Sequence, residues 1–168
     1  MRKIAVVAYD DNWPALFATE CALLQPILGD VMAQIHHIGS TSVPGLAAKP
    51  VIDILLEVND LNALDSLNPA MANVGYTARG ENGIPGRRYF AKGGKVRSHQ
   101  IHAFATGDAQ LEKHLAFRDY LRTTPEAAAA YAQIKREAAR ASDHDSQPYN
   151  ALKEDFIAHH LRLALALR

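Results

Sequence analysis

Between residues 38 and 55 the chain carries side chains suited to handling an anion: Ile38-Gly39-Ser40-Thr41-Ser42, then Val51-Ile52-Asp53-Ile54-Leu55. A glycine lets backbone approach a ligand closely, and Ser/Thr hydroxyls with amide N–H groups at a helix start form an anion cradle. The same composition also suits an ordinary turn. Asp53 weights the choice. It stands among Val51, Ile52, Ile54, Leu55 and Leu56, where an unpaired carboxylate would cost on the order of several kcal/mol. It therefore needs a cation, a metal ion or hydrogen-bond donors. A salt bridge to Lys49 is the structural alternative; burial cost and site electrostatics favour a functional carboxylate.

Two histidines and a basic cluster could complete such a site. His99 and His102 are separated by an odd interval, so on a regular strand they face opposite sides and at most one joins Asp53. His102, inside the strand-like Ile101–Phe104 run, is the expected ligand or base, with a hydrogen-bonded structural histidine as the alternative. Arg87, Arg88, Lys92, Lys95 and Arg97 surround an expected hairpin. Arg88 and Lys92 share one face and could grip phosphate oxygens together; a charged, solvated edge is the alternative. Tyr149 and Lys153 stand one helical turn apart and could reach over the Gly-Ser loop or decorate a surface. The adjacent pairs His36-His37 and His159-His160 lack the helical spacing of a zinc site, and Asp143-His144-Asp145 reads as a solvated loop. Neither a P-loop nor a dinucleotide fingerprint is present.

The elements that must position these residues follow from periodicity and punctuation. A helix is expected after Asp11-Asn12, with Pro14 in its first turn, a stripe from Trp13 to Leu28, Gly29 at its end and a break near Pro26. Strands are expected at Val31–Ile38 and Pro50–Val58, the latter apolar enough to be buried on both faces, with a short helical turn at Leu46–Ala48. Asp60 caps a helix that Pro69 divides. Further strands fall at Gly75–Arg79, Arg87–Ala91 and Ile101–Phe104. The last third reads as helices Gln110–Leu121, Pro125–Ala141 and Pro148–Leu167, with a Thr123/Glu126 capping box and a loop at Ser142–Gln147. The expected architecture is α/β or α+β: one domain over residues 1–168, a sheet flanked by helices, with a helical C-terminal third.

Composition narrows the function classes. With 18 basic and 18 acidic residues, net charge favours neither nucleic acid nor a membrane surface, so an anion site must come from local clustering. The single cysteine, Cys21, excludes internal disulfides and cysteine-based zinc sites. No stretch reaches the ~18 apolar residues of a membrane span, and the apolar run Ile4–Ala8 is too short for a signal peptide. A cytosolic location is the expectation.

The run from His37 to Ile54 resembles the signature of GrpB-like proteins. The likeness extends through Tyr9-Asp10, Trp13-Pro14, Gly86–Phe90, His99–His102, His114–Leu121 and Tyr149–Lys153, and so over nearly the whole chain. It implies a nucleotidyltransferase-like fold, in which a Gly-Ser loop holds a nucleotide triphosphate and acidic residues hold divalent metal. On that resemblance Gly39, Ser40, Thr41 and Ser42 bind phosphate, Asp53 binds Mg²⁺, and Lys49, Arg88, Lys92 and Lys153 supply further positive charge. The superfamily's second carboxylate falls two residues on, where this chain has Leu55. Glu57 shares that strand face but lies about 13 Å along the strand. The expected function is binding of a nucleotide or phosphate-bearing small molecule, with nucleotidyl transfer to an acceptor as its enzymatic form. The rival is a non-catalytic module; a GrpB-like domain fused to dephospho-coenzyme A kinase in some bacteria suits a coenzyme A-related role. A metal-dependent hydrolase using Asp53 and a histidine is a third option.

Overall fold

A computed structural model describes residues 5–141 and 146–168, without the side chains of residues 138, 139, 141 and 146–153. The strands are β1 (Met32–Ile38), β2 (Ile52–Val58), β3 (Tyr76–Ala78), β4 (Arg87–Lys92) and β5 (His99–Ala105). They form one mixed sheet in the order β1-β2-β5-β4-β3, in which β2 and β5 are parallel and the other pairs antiparallel. The helices are α1 (Trp13–Leu28), α2 (Leu61–Asp65), α3 (Asn68–Asn73), α4 (Ala109–Thr123), α5 (Pro125–Ala141) and α6 (Ser146–Ala166). Among the described residues no helix is long and apolar enough to cross a membrane.

Strand β2 is buried on both faces, as its apolar run requires, and its two side-chain sets serve different layers. Ile52, Ile54, Leu56 and Val58 join Trp13, Leu24 and Leu28 of α1 and Leu64 and Met71 of α2 and α3 in the main core. On the other face Leu55 packs with Ile38, Phe104 and Leu111 beneath α4. A separate cluster ties α4, α5 and α6 to the loop after β1 through Val43, Leu46, Tyr120, Leu121 and Tyr131.

Local chemistry accounts for most element ends. The Asp60 carboxylate accepts from Asn62 N–H at 2.8 Å to start α2, and Asp108 does the same for Gln110 at 2.9 Å to start α4. Three expectations need correction. Helix α1 runs through Pro26 to Leu28, because a proline near a helix end forfeits little of the hydrogen-bond ladder. Residues 46–48 form no helical turn, and Ala48 bridges Val7. Thr123 ends α4, its hydroxyl donating back to the Asp119 carbonyl at 2.9 Å rather than opening a capping box. Residues 142–145, including most of Asp143-His144-Asp145, lie outside the described residues.

Candidate functional site

Asp53, the second residue of β2, stands at the edge of a cavity of about 460 Å³ between the sheet and helices α4, α5 and α6. Its side chain is 28% exposed, so it faces the cavity rather than being sealed among its apolar neighbours. Register explains its company. Asp53 pairs with Ile38 across β1 and Gln100 across β5, and Tyr89 of β4 pairs with His102. Alternation then brings Asp53, Gln100, His102, Arg87 and Tyr89 to one face.

The turn after β1 roofs Asp53. Gly39 has φ +74° and ψ −177°, a conformation essentially confined to glycine. A Cβ on it would lie 2.6 Å from Asp53 Oδ2. Residues Ser40–Ser42 form a single 3₁₀ turn whose own bonds begin at Ser42 N–H, which donates to Gly39 at 3.1 Å. The hydroxyls divide their work. Ser42 donates to the Gly39 carbonyl at 2.5 Å, and Thr41 donates to the Val51 carbonyl at 3.4 Å while accepting from His37 Nε2 at 2.9 Å. Both are buried and brace the loop. Ser40 hydrogen-bonds to Tyr131 of α5. Of the four expected phosphate-binding residues, Gly39, Ser40 and Thr41 line the cavity.

Positive charge surrounds the carboxylate. Lys49, Arg87, Arg118 and Lys135 line the cavity together with Asp53. Arg87 is 8% exposed. Its guanidinium donates to the carbonyls of Glu81 at 3.1 Å and Asn82 at 2.8 Å, and to His102 Nδ1 at 3.4 Å. No carboxylate of the described residues bonds to it, and burial pulls its pKa down. Lys135 is 2% exposed and its Nζ sits 4.8 Å from the Tyr131 ring centroid. Arg118 pairs with Asp119 at 2.9 Å and donates to the His37 carbonyl.

Burial holds the surrounding rings neutral. His114, stacked 5.9 Å from His102, has its pKa lowered to about 4 chiefly by desolvation, against the pull of Asp53. His37 is likewise lowered to about 4 by desolvation, against the pull of Asp53. Desolvation raises the Tyr131 hydroxyl to about 12, with the Asp53 charge acting in the same sense and the Ser40 hydroxyl against it.

Not every expected residue arrives. Arg88 and Lys92 share a face, as alternation requires, but it is the opposite one. Arg88 binds Asp65 of α2 at 2.8 Å, and Lys92 binds the buried Glu20 of α1 at 2.8 Å, beside His99 and the Tyr76 hydroxyl. These two are corrected from phosphate ligands to ties between sheet and helices. The structure puts Arg87 at the cavity instead. Leu55 is fully buried, and Glu57 bonds Thr106 at the far end of the strand. Lys153 and Tyr149 lie outside the described side chains. Arg118, Tyr131 and Lys135 are cavity residues that sequence reasoning did not single out for the site, and Arg87 was named only within the basic cluster; Tyr131 and Lys135 sit on an alanine-rich helix whose pattern signals only packing.

The GrpB protein family matches the chain over residues 3–162. The chain belongs to the GrpB family. A relative, UPF0157 protein YqkA of Bacillus subtilis, is 42% identical over 156 residues, 93% of this GrpB chain but only 46% of that protein. The chain thus spans about half the length of that relative. The dephospho-CoA kinase of Mycolicibacterium paratuberculosis is 30% identical over 92% of the chain and 44% of its own length. The crystal structure of the conserved protein GrpB from Enterococcus faecalis superposes with a TM-score of 0.92 at 38% identity, covering 96% of this chain and 98% of that one. Cid1 in complex with its short product ApU superposes at 0.56 with 14% identity, over 80% of this chain and 43% of that one. At that identity the likeness concerns the fold alone, which is nucleotidyltransferase-like.

Proposed function

We propose that this GrpB-family chain binds a nucleotide or another phosphate-bearing small molecule in the cavity beside Asp53. One observation carries the reading: Lys49, Arg87, Arg118 and Lys135 line the cavity with Asp53, the one carboxylate among its described lining residues. A phosphate chain is the kind of ligand that such a set of cationic donors engages through charge-assisted hydrogen bonds. The volume, about 460 Å³, lies within the range of small-molecule sites.

The donors among the described residues fit one magnesium ion rather than two. Among the described residues no three His, Cys, Asp or Glu side chains gather to hold a metal. Mg²⁺ is commonly bound by one or two carboxylates with substrate phosphates and water filling the remaining positions. Asp53 would hold it, and it would neutralise and orient ligand phosphate. The Gly39–Thr41 turn would seat the phosphates, and Arg87 and Lys135 would carry charge that a second metal carries in two-metal sites.

Two forms of this reading differ in turnover. In the first, the chain transfers a nucleotidyl group to an acceptor. The second is a binding module, favoured specifically by Leu55, which is 0% exposed where a second acidic ligand would be needed; the dephospho-CoA kinase relative suggests coenzyme A-type ligands for it. Calorimetry with ATP, UTP and dephospho-coenzyme A, with and without Mg²⁺, followed by assay for pyrophosphate release, separates them. Binding strengthened by Mg²⁺ without pyrophosphate supports the module, and pyrophosphate release supports transfer. Absence of binding by all three ligands would refute the proposal.

A further inference from the structure

Asp53 is oriented by a chain of hydrogen bonds that begins at a buried guanidinium. Arg87 approaches His102 Nδ1 at 3.4 Å, and His102 Nε2 approaches Asp53 Oδ1 at 3.2 Å. Guanidinium nitrogens only donate. His102 Nδ1 must therefore be the acceptor and carry no hydrogen, which leaves the ring hydrogen on Nε2, directed at Asp53. The ring has little freedom to do otherwise. It lies between Tyr89, 5.5 Å away, and His114, 5.9 Å away, and Arg87 is itself held by the Glu81 and Asn82 carbonyls.

We infer that His102 is a positioning residue: Arg87 fixes it as the Nε2–H tautomer, and in that form it donates to Oδ1 and sets the carboxylate with Oδ2 beneath Gly39. The inference rests on the proposed function for its consequence but not for its geometry. It excludes His102 as a metal ligand or base in this arrangement, since one ring nitrogen accepts from Arg87 and the other donates to Asp53. Outer hydrogen-bond partners of this kind orient a ligating carboxylate, and losing them weakens metal binding by roughly 10- to 100-fold.

Multiple-bond ¹H–¹⁵N spectra of the imidazoles, recorded on the full chain at a pH of about 8 where ordinary imidazole is neutral, test the tautomer directly. The His102 signals are assigned by their absence in His102→Gln. The expected result is a protonated Nε2 and a bare Nδ1, with Arg87→Met shifting His102 towards a mixture. A protonated Nδ1, or a mixture in the wild type, overturns the inference. Mg²⁺ affinity measured with ATP supplies the second readout. His102→Ala should lose about 10-fold or more, and His102→Gln, whose amide still donates, should recover most of it. Wild-type affinity in a folded His102→Ala variant also overturns the inference. If the wild type binds neither ATP nor Mg²⁺, the proposed function fails while the spectra still decide the tautomer.

Discussion

Gly39 and Asp53 compete for the same space, which is why position 39 admits no side chain. The positive φ alone costs a non-glycine residue roughly 1–3 kcal/mol, and an added Cβ would meet Oδ2 at 2.6 Å. Gly39→Ala should therefore lower stability by about 1–3 kcal/mol and displace Asp53, so that phosphate-ligand affinity falls more than the melting temperature alone explains. Parallel melts and titrations check this. Leu55 poses the opposite case. It points to the same sheet face as Asp53 yet packs against Ile38, Phe104 and Leu111 with no exposure. Leu55→Asp should cost several kcal/mol, roughly, and gain no Mg²⁺ affinity. A stable variant with tighter metal binding would show that the cavity reaches position 55.

At the scale of elements, β4 decides which basic residues reach the cavity. Its register with β5 sends Arg87 and Tyr89 to the α4 face and Arg88 and Lys92 to the α1 face. Arg88→Met should cost no more than about 1 kcal/mol, since its ion pair with Asp65 is substantially exposed. Lys92→Met should cost about 2 kcal/mol, because it strands the buried Glu20 carboxylate with Tyr76 and His99 as its remaining partners. Neither change should alter phosphate affinity, as melts and calorimetry on the same samples would show. Alternation made it legible that Arg88 and Lys92 share a face, and that His99 and His102 do not. It carries no information on which face of the hairpin meets Asp53, since that depends on pairing with β5. The strands around Asp53 were legible because an apolar run bounded by glycine and proline leaves few alternatives. Lys135 was not, because burial of a lysine on an amphipathic helix is decided by how three helices dock.

For the molecule as a whole, buried neutral histidines set an acid limit on stability. His37 and His114 are lowered to about 4 in the folded chain, against roughly 6.5 when unfolded. Between those values the unfolded chain binds more protons, so their stabilising contribution is complete above pH ~6.5 and is lost as pH falls towards ~4. The melting temperature should drop by several degrees over that interval, and His114→Phe, if folded, should show a shallower decline between pH ~6.5 and ~4.5. An unchanged slope would mean that His114 is not held neutral by its surroundings.

Whether the cavity beside Asp53 is the phosphate site can be decided by one calorimetric comparison of ATP with adenosine across two double variants. Arg87→Met with Lys135→Met removes charge from the cavity, whereas Arg88→Met with Lys92→Met removes equal charge from the opposite face. ATP should bind the wild type more tightly than adenosine, and the first pair should abolish this preference. The second pair should preserve it. Loss of the preference in the far-face pair alone, or equal affinity of the wild type for both ligands, would contradict a phosphate site beside Asp53.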